Sequence, residues 1–336
     1  MTIVSYRLGG TDGVSIEAAK WGRAFEALGA GVTTVAGSGQ TDHLIAGLSA
    51  DSPPPIDEVA LTRSLTGADL VVVENCCSLP LNPRAGETIA RALAGRPAIM
   101  RHHDLAWQRP QFRDYGPPPD DPAWWHVTIN ERSRLELAAR GIIATTFYNC
   151  FDPDPPIGHR AATREAIGVA TDEVLVLQPT RAIPRKNVAG GVLFARALGA
   201  TYWLLGPAED GYGPTLRRIL ARAGTRVIED MPEGFDIHDA YAACEMVVLP
   251  SSIEGFGNPS VESATHRRPL AVGDYPVASE LKRFGFFWFN TSDPAPAARW
   301  LSERDPALLD QNARVARERF STASLPERIE QMVTSG

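Results

Sequence analysis

The chain has 336 residues, is 44% hydrophobic and carries a formal net charge of −7. That length suits two cores of roughly 150 residues each, the acidic balance argues against a nucleic-acid surface, and no apolar run approaches the ~18 residues that cross a bilayer. The first 150 residues set 13 Lys and Arg against 16 Asp and Glu, so no basic patch for peripheral contact with anionic lipid is expected.

The chain opens on strand-like Thr2–Ser5 without the charged and apolar regions of a secretory signal, so a cytoplasmic location is expected. Thr2–Tyr6 reads as a strand, Gly9–Gly13 as a glycine loop, and Ser15–Leu28 as an amphipathic helix with apolar Ile16, Ala19, Phe25 and Leu28. Gly31–Val35 is the next strand. Leu70–Val73 follows the Pro53-Pro54-Pro55 loop as a buried strand, then Ala98–Arg101, His126–Ile129 and Thr145–Tyr148, with a helix over Arg132–Arg140. Strands alternating with helices predict an α/β fold with a mostly parallel sheet covered on both faces.

Asp152–Gly158 reads DPDPPIG, which neither helix nor strand tolerates, and is the linker candidate. Asp152-x-Asp154 lies among its prolines rather than after a buried strand, so a metal role is not expected. A second alternating series follows: strand Val174–Gln178, helix 187–198, strand Thr201–Leu205, helix 214–223, strand Arg226–Ile228, helix 236–243, strand Met246–Leu249 and helix 259–266. Leu270–Val272 and Phe286–Phe289 read as closing strands, before helices near 306–318 and 324–333. Two Rossmann-like halves predict a ligand cleft at the carboxyl ends of the strands. Cys76, Cys77, Cys150 and Cys244 have neither metal-ligand spacing nor a disulfide framework and read as buried thiols.

Two loops of the second half carry the chemistry. Residues 251–262, SSIEGFGNPSVE, place Glu254 and Glu262 with seven residues between them around a Gly-rich turn. The apolar run before them ends at Pro250, and Asn258-Pro259 has the form of an N-cap and first helical position. A helix start flanked by two carboxylates suits a ligand bearing both phosphates and hydroxyls, such as a nucleotide sugar. Earlier, strand Val174–Gln178 runs into Pro179–Asn187, which places Arg181 and Lys186 on one strand-to-helix loop, a useful pair for a diphosphate. All but three of the 33 basic side chains are Arg, and Lys186 is one of the exceptions.

Arg181-x4-Lys186 followed by Glu254-x7-Glu262 resembles the C-terminal signature of retaining GT-B glycosyltransferases of family 4. Other segments agree in order: Leu204-Leu205-Gly206-Pro207, Asp239 through Ser251, Tyr148-Asn149-Cys150-Phe151-Asp152 at the entry to the second half, Gly9–Val14 after the first strand, and His102-His103-Asp104 at the end of a middle strand. His103–Arg109, Pro179-Thr180-Arg181 and Gly257-Asn258-Pro259 resemble the branch that includes mannosylglucosylglycerate synthase. Ser263–Ala271 departs from the family pattern, with Arg267 or Arg268 where an exit glycine is usual.

The resemblance implies a GT-B architecture of two Rossmann-like domains facing across a cleft: 1–151 on the acceptor side, and 152–319 binding the nucleotide sugar, with a C-terminal helix in 320–336 packing back on the first domain. It implies hexose transfer to a hydroxyl with retention, without cofactor or metal. Arg181 and Lys186 would neutralise the diphosphate, Glu262 accept from the ribose, and Glu254 accept from the transferred sugar. Backbone N–H groups of Phe256, Gly257 and Asn258 would hold the sugar and distal phosphate, Gly13 would allow close approach to the phosphate, and His103 would meet a sugar hydroxyl or the charge at its anomeric carbon. Of the adjacent pair His102 and His103, one is expected to be structural.

The stretch Leu105–Trp125, with Trp107, Phe112, Tyr115, Trp124 and Trp125, suits sugar faces. Arg101, Arg109 and Arg113 would read a carboxylate or phosphate on a small acidic acceptor. Asp104, Trp107 and Arg109 are therefore the acceptor candidates. A dehydrogenase is disfavoured because Gly9–Gly13 lacks G-x-G-x-x-G spacing. A sugar-nucleotide epimerase, a phosphorylase and a non-catalytic sugar-nucleotide-binding protein remain the alternatives.

Overall fold

The computed structural model describes residues 1–51, 53–209 and 211–334. The chain divides into two compact units, Met1–Cys150 rejoined from Thr322 onward, and Phe151–Ser321.

The first unit runs β1 (Thr2–Leu8), α1 (Gly13–Ala27), β2 (Thr33–Gly39), β3 (His43–Leu44), α2 (Glu58–Thr66), β4 (Val71–Glu74), α3 (Pro83–Leu93), β5 (Ala98–His102), β6 (Trp124–Thr128), α4 (Glu131–Ala138) and β7 (Ala144–Thr146). Among the described residues its sheet has seven strands in the order β3-β2-β1-β4-β5-β6-β7, and the pairings are parallel. A parallel sheet is covered on both faces, which is why its strands read as continuous apolar runs. Val4, Val71, Val73 and Met100 pack under one layer of helices. Ile3, Val72, Ile99 and Val127 face the other, where Trp21 and Phe25 of α1 lie.

The second unit runs α5 (Arg160–Ala166), β8 (Leu175–Gln178), α6 (Val188–Ala197), β9 (Thr201–Leu204), α7 (Gly213–Leu220), β10 (Val227–Glu229), α8 (Ile237–Ala243), β11 (Met246–Leu249), α9 (Pro259–Thr265), β12 (Leu270–Val272), α10 (Pro276–Lys282), β13 (Phe289–Asn290), α11 (Ala295–Glu303) and α12 (Ala307–Phe320). Its sheet has the order β10-β9-β8-β11-β12-β13. In both units the order reverses beside the first strand, between β1 and β4 and between β8 and β11. In open sheets of this kind, such a reversal at the strands' carboxyl ends is where ligands bind.

The last helix, α13 (Leu325–Thr334), belongs to the first unit. Leu325 and Ile329 complete the core around Trp21, and Arg328 lies 4.6 Å over the Phe147 ring. The closing strand read at Phe286–Phe289 is displaced to Phe289–Asn290. Phe286 instead stacks on Trp288 and packs against Phe320 of α12, which takes these aromatics out of the sheet. Among the described residues no helix is long and apolar enough to cross a membrane.

Candidate active site

In the second unit the two loops singled out by sequence leave adjacent strands at the switch point. The first leaves β8 at Gln178, whose buried amide donates to the Lys186 carbonyl (3.1 Å) and accepts from the Tyr202 hydroxyl (2.7 Å). The second leaves β11 at Pro250. Asn187, left-handed at φ 49°, caps α6 by accepting from Gly190 N. Its side-chain amide donates to the Pro250 carbonyl (3.2 Å), and Ser252 N donates to the Arg185 carbonyl (2.9 Å), so the loops are stitched together.

At this seam Lys186 Nζ lies 2.5 Å from Glu254 Oε1, and Arg185 lies 2.7 Å from Glu254 Oε2 while also donating to the Ile253 carbonyl. Lys186 is 9% and Glu254 7% exposed. Burial alone would raise the Glu254 carboxyl, but the two cations reverse it and hold it at about 2. For Lys186 burial dominates: with Arg185 it outweighs the attraction of Glu254 and lowers the ammonium below its ordinary range. Lys186 thus sits on the strand-to-helix loop expected for it, but buried against its partner rather than on the surface. Arg181 stays part-exposed and pairs with Glu209 at 2.5 Å. Arg185, which sequence reasoning passed over, also pairs with Glu254, and its signal was adjacency to Lys186.

Because the ionised Glu254 is favoured by folding, its contribution is fully present above its unperturbed value of 4.5 and is lost as pH falls towards about 2. The difference is on the order of 3 kcal/mol. Wild-type protein is expected to lose that much more stability than Glu254→Gln across this acid window in urea unfolding. Equal losses in the two proteins contradict the ion-pair account.

Past the loop, Gly257 has φ +85°, and a Cβ there would meet the Tyr275 hydroxyl at 2.7 Å. Phe256 is buried against Phe151 and Phe320, so its ring has no surface to offer a ligand. Asn258 does not cap α9 as its sequence suggests: its backbone is already helical (φ −45°, ψ −42°) and its side chain makes no capping bond, although Pro259 opens the helix. Glu262 is half-buried in the first turn. Its Oε2 accepts from the buried Tyr241 hydroxyl at 2.9 Å. His266 stacks on Tyr241 (4.3 Å) and is bonded to His238 (2.9 Å). Burial, and then His238 and Arg268, bring His266 down to about 4.

In the first unit Gly13 opens α1 behind the N-cap Asp12, and the left-handed glycine of this loop is Gly9 (φ +72°). The end of β5 carries the histidines. His102 is buried against His126 (2.8 Å), whose other ring nitrogen meets Asp120. Burial lowers both rings, which keeps them neutral. His103 Nε2 lies 2.5 Å from Glu74 Oε2 at the end of β4. Asn75 Oδ1 accepts from the backbone N–H groups of both His103 and Asp104 (3.1 Å each) and so sets the loop. Glu74 was missed from sequence, although a carboxylate at the carboxyl end of an all-apolar strand is the signal to look for.

The acceptor candidates have partners of their own within the first unit. Arg101 is 1% exposed and holds Glu74 (2.9 Å) and Glu17 (3.1 Å), because β4 and β5 pair Glu74 with Arg101 in register; it has no surface to offer an acceptor. The Trp107 indole N–H donates to Glu136 (2.7 Å), and Arg140 covers one ring face at 3.8 Å. Asp104 and Arg109 pair with each other at 2.6 Å. Trp124 and Trp125 open β6 and pack against the two cores rather than lying in a loop. In the linker, Asp154 is taken by Arg317 (2.8 Å).

No family model matches the chain. It is 26% identical over 291 residues to mannosylglucosylglycerate synthase of Thermotoga maritima, covering 74% of this chain and 67% of that protein. It is 23% identical to the enzyme of the same name from Petrotoga mobilis, covering 82% of each. Among solved structures, Anabaena HepE in complex with UDP and glucose superposes with a TM-score of 0.77 at 16% identity over the whole of both chains. WaaG, a glycosyltransferase of lipopolysaccharide biosynthesis, does so at 0.67 and 13%, also over the whole of both chains. In fold the chain is a GT-B protein, and the relatives and structures it resembles are glycosyltransferases.

Proposed function

We propose that the protein transfers a hexose from a nucleoside diphosphate sugar to an acceptor hydroxyl, with retention and without a metal ion. The observation that carries this reading is the ion-paired knot Arg185–Glu254–Lys186 at the switch point of the second unit, with the Tyr241-backed carboxylate of Glu262 on the following helix. Lys186 and Arg181 place positive charge where a diphosphate leaving group gains negative charge. Glu254 and Glu262 accept from hydroxyls of the sugar and the ribose. The acceptor oxygen forms its bond to the anomeric carbon on the face from which phosphate departs, and its proton passes to the departing phosphate oxygen. Arg181, Lys186 and the start of α9 do the work otherwise given to a divalent ion. That HepE was captured with UDP and glucose, and that the relatives are mannosylglucosylglycerate synthases, supports a nucleotide-sugar donor and a small acidic acceptor.

Incubation with UDP-glucose, GDP-mannose and ADP-glucose in excess EDTA is expected to release nucleotide from one of them. Release from none, or loss in EDTA that magnesium or manganese restores, rejects the proposal in its activity or its metal independence respectively. Glu262→Ala is expected to weaken binding of the bare nucleoside diphosphate product ~10-fold or more, since hydrogen bonds to a charged acceptor contribute about 1.5–3 kcal/mol each. Calorimetric titration reads this directly, and wild-type affinity would reduce Glu262 to a carboxylate that merely suits a helix start.

A further inference from the structure

The basic loop of the second unit carries its own counter-anion. Both oxygens of Glu254 are taken, Oε1 by Lys186 Nζ (2.5 Å) and Oε2 by Arg185 (2.7 Å), and Lys186 and Glu254 are both buried. The carboxylate keeps the ammonium charged, since burial and the neighbouring Arg185 and Arg181 all act against it. Arg181 is matched in turn by Glu209. Arg181, Arg185 and Lys186 set against Glu254 and Glu209 leave one net positive charge, too little to balance a diphosphate.

Glu254 is held where it stands. Its loop is sewn to the Lys186 loop by the Asn187 amide on the Pro250 carbonyl (3.2 Å) and by Ser252 N on the Arg185 carbonyl (2.9 Å). Arg185 also donates to the Ile253 carbonyl (3.2 Å), next to Glu254 in the chain. A phosphate that reaches Lys186 therefore meets a fixed carboxylate as well as the cations. An ammonium has three N–H donors, so it can hold Glu254 and a phosphate together. The like charge stays beside the phosphate nonetheless and weakens its hold.

We propose that Glu254 is a resident counter-anion: it keeps Lys186 and Arg185 charged and placed before the donor arrives and, once the sugar has gone, drives the nucleoside diphosphate product off by like-charge repulsion. This deepens the proposed function and rests on its placing of the diphosphate at Lys186. The role is separate from any contact with the transferred sugar, because it acts on a product that no longer carries one.

Glu254→Gln keeps the shape of the side chain and removes its charge. Calorimetric titration at neutral pH with UDP, GDP or ADP, whichever the wild type binds, is expected to show binding ~10-fold tighter or more in the variant. Affinity for the matching uncharged nucleoside is expected to stay unchanged, and stopped-flow measurement to place the gain in slower dissociation. A carboxylate that only braced the loop or touched a sugar gives equal or weaker diphosphate binding on removal, so either result overturns the proposal. An equal gain for the nucleoside, or a gain confined to faster association, overturns it too. Should Glu254→Gln fail to fold, Glu254→Asp, one methylene shorter and drawn back from Nζ, is expected to give a smaller gain of the same sign, and no gain there overturns the proposal. If Lys186→Ala binds the diphosphate as wild type does, the placing of phosphate at Lys186 fails instead, whatever Glu254→Gln shows.

Discussion

Lys186→Ala is expected to lower turnover by about 10²- to 10³-fold, the usual loss when one preorganised charge or donor is removed from a developing anion. Its effect on folding should be larger than a loop lysine suggests, because Lys186 is buried against Glu254. Breaking a buried pair costs several kcal/mol when the surviving charge is left alone. Here Arg185 remains on the other carboxylate oxygen, so a loss of about 1–3 kcal/mol is expected. Arg181→Ala makes the contrast. Arg181 and Glu209 are both about one-third exposed, so stability should change by less than ~1 kcal/mol while turnover still falls. Urea unfolding and single-turnover nucleotide release on the same preparations separate the two effects. Near-normal turnover in folded Lys186→Ala would remove the leaving-group role.

The largest effect on stability is expected at Arg101. Arg101→Met leaves Glu74 and Glu17 facing a cation that is gone, with Lys20 and His103 at the two ends of this chain of ion pairs. Burial pushes the Glu74 carboxyl upward, while Arg101 first and then His103 hold it below its ordinary value. Without the guanidinium one carboxyl must take up a proton or the strands must part. The expected loss is about 3–5 kcal/mol, confined to the first unit. Hydrogen exchange should therefore show faster opening of β4 and β5 while nucleoside diphosphate still binds. A variant within about 1 kcal/mol of wild type would mean that the charge chain does not hold the sheet.

The parallel sheets were legible because their strands are short apolar runs closed by Gly, Pro or charge, and the alternation with helices then dictates the layering. Helices α2, α3, α5, α10 and α11 were not read, since their polar faces dominate and several are barely two turns long. In the candidate site, Lys186 and Glu254 were visible as charges at the ends of buried strands. That they touch was not visible, because the contact joins loops 68 residues apart through the adjacency of β8 and β11. The same holds for Arg101, which looked like a surface cation until the β4–β5 register set Glu74 beside it. Trp124 and Trp125 looked like loop aromatics because the prolines before them hide where β6 begins.

The return of α13 to the first unit has a consequence for synthesis. Residues 151–321 form a contiguous unit, which has all of its core as soon as it has left the ribosome. The first 150 residues emerge earlier yet wait for Leu325 and Ile329 to cover Trp21 and Phe147. During translation the segment made first can therefore complete its core only after the second unit and Leu325–Ile329 have emerged.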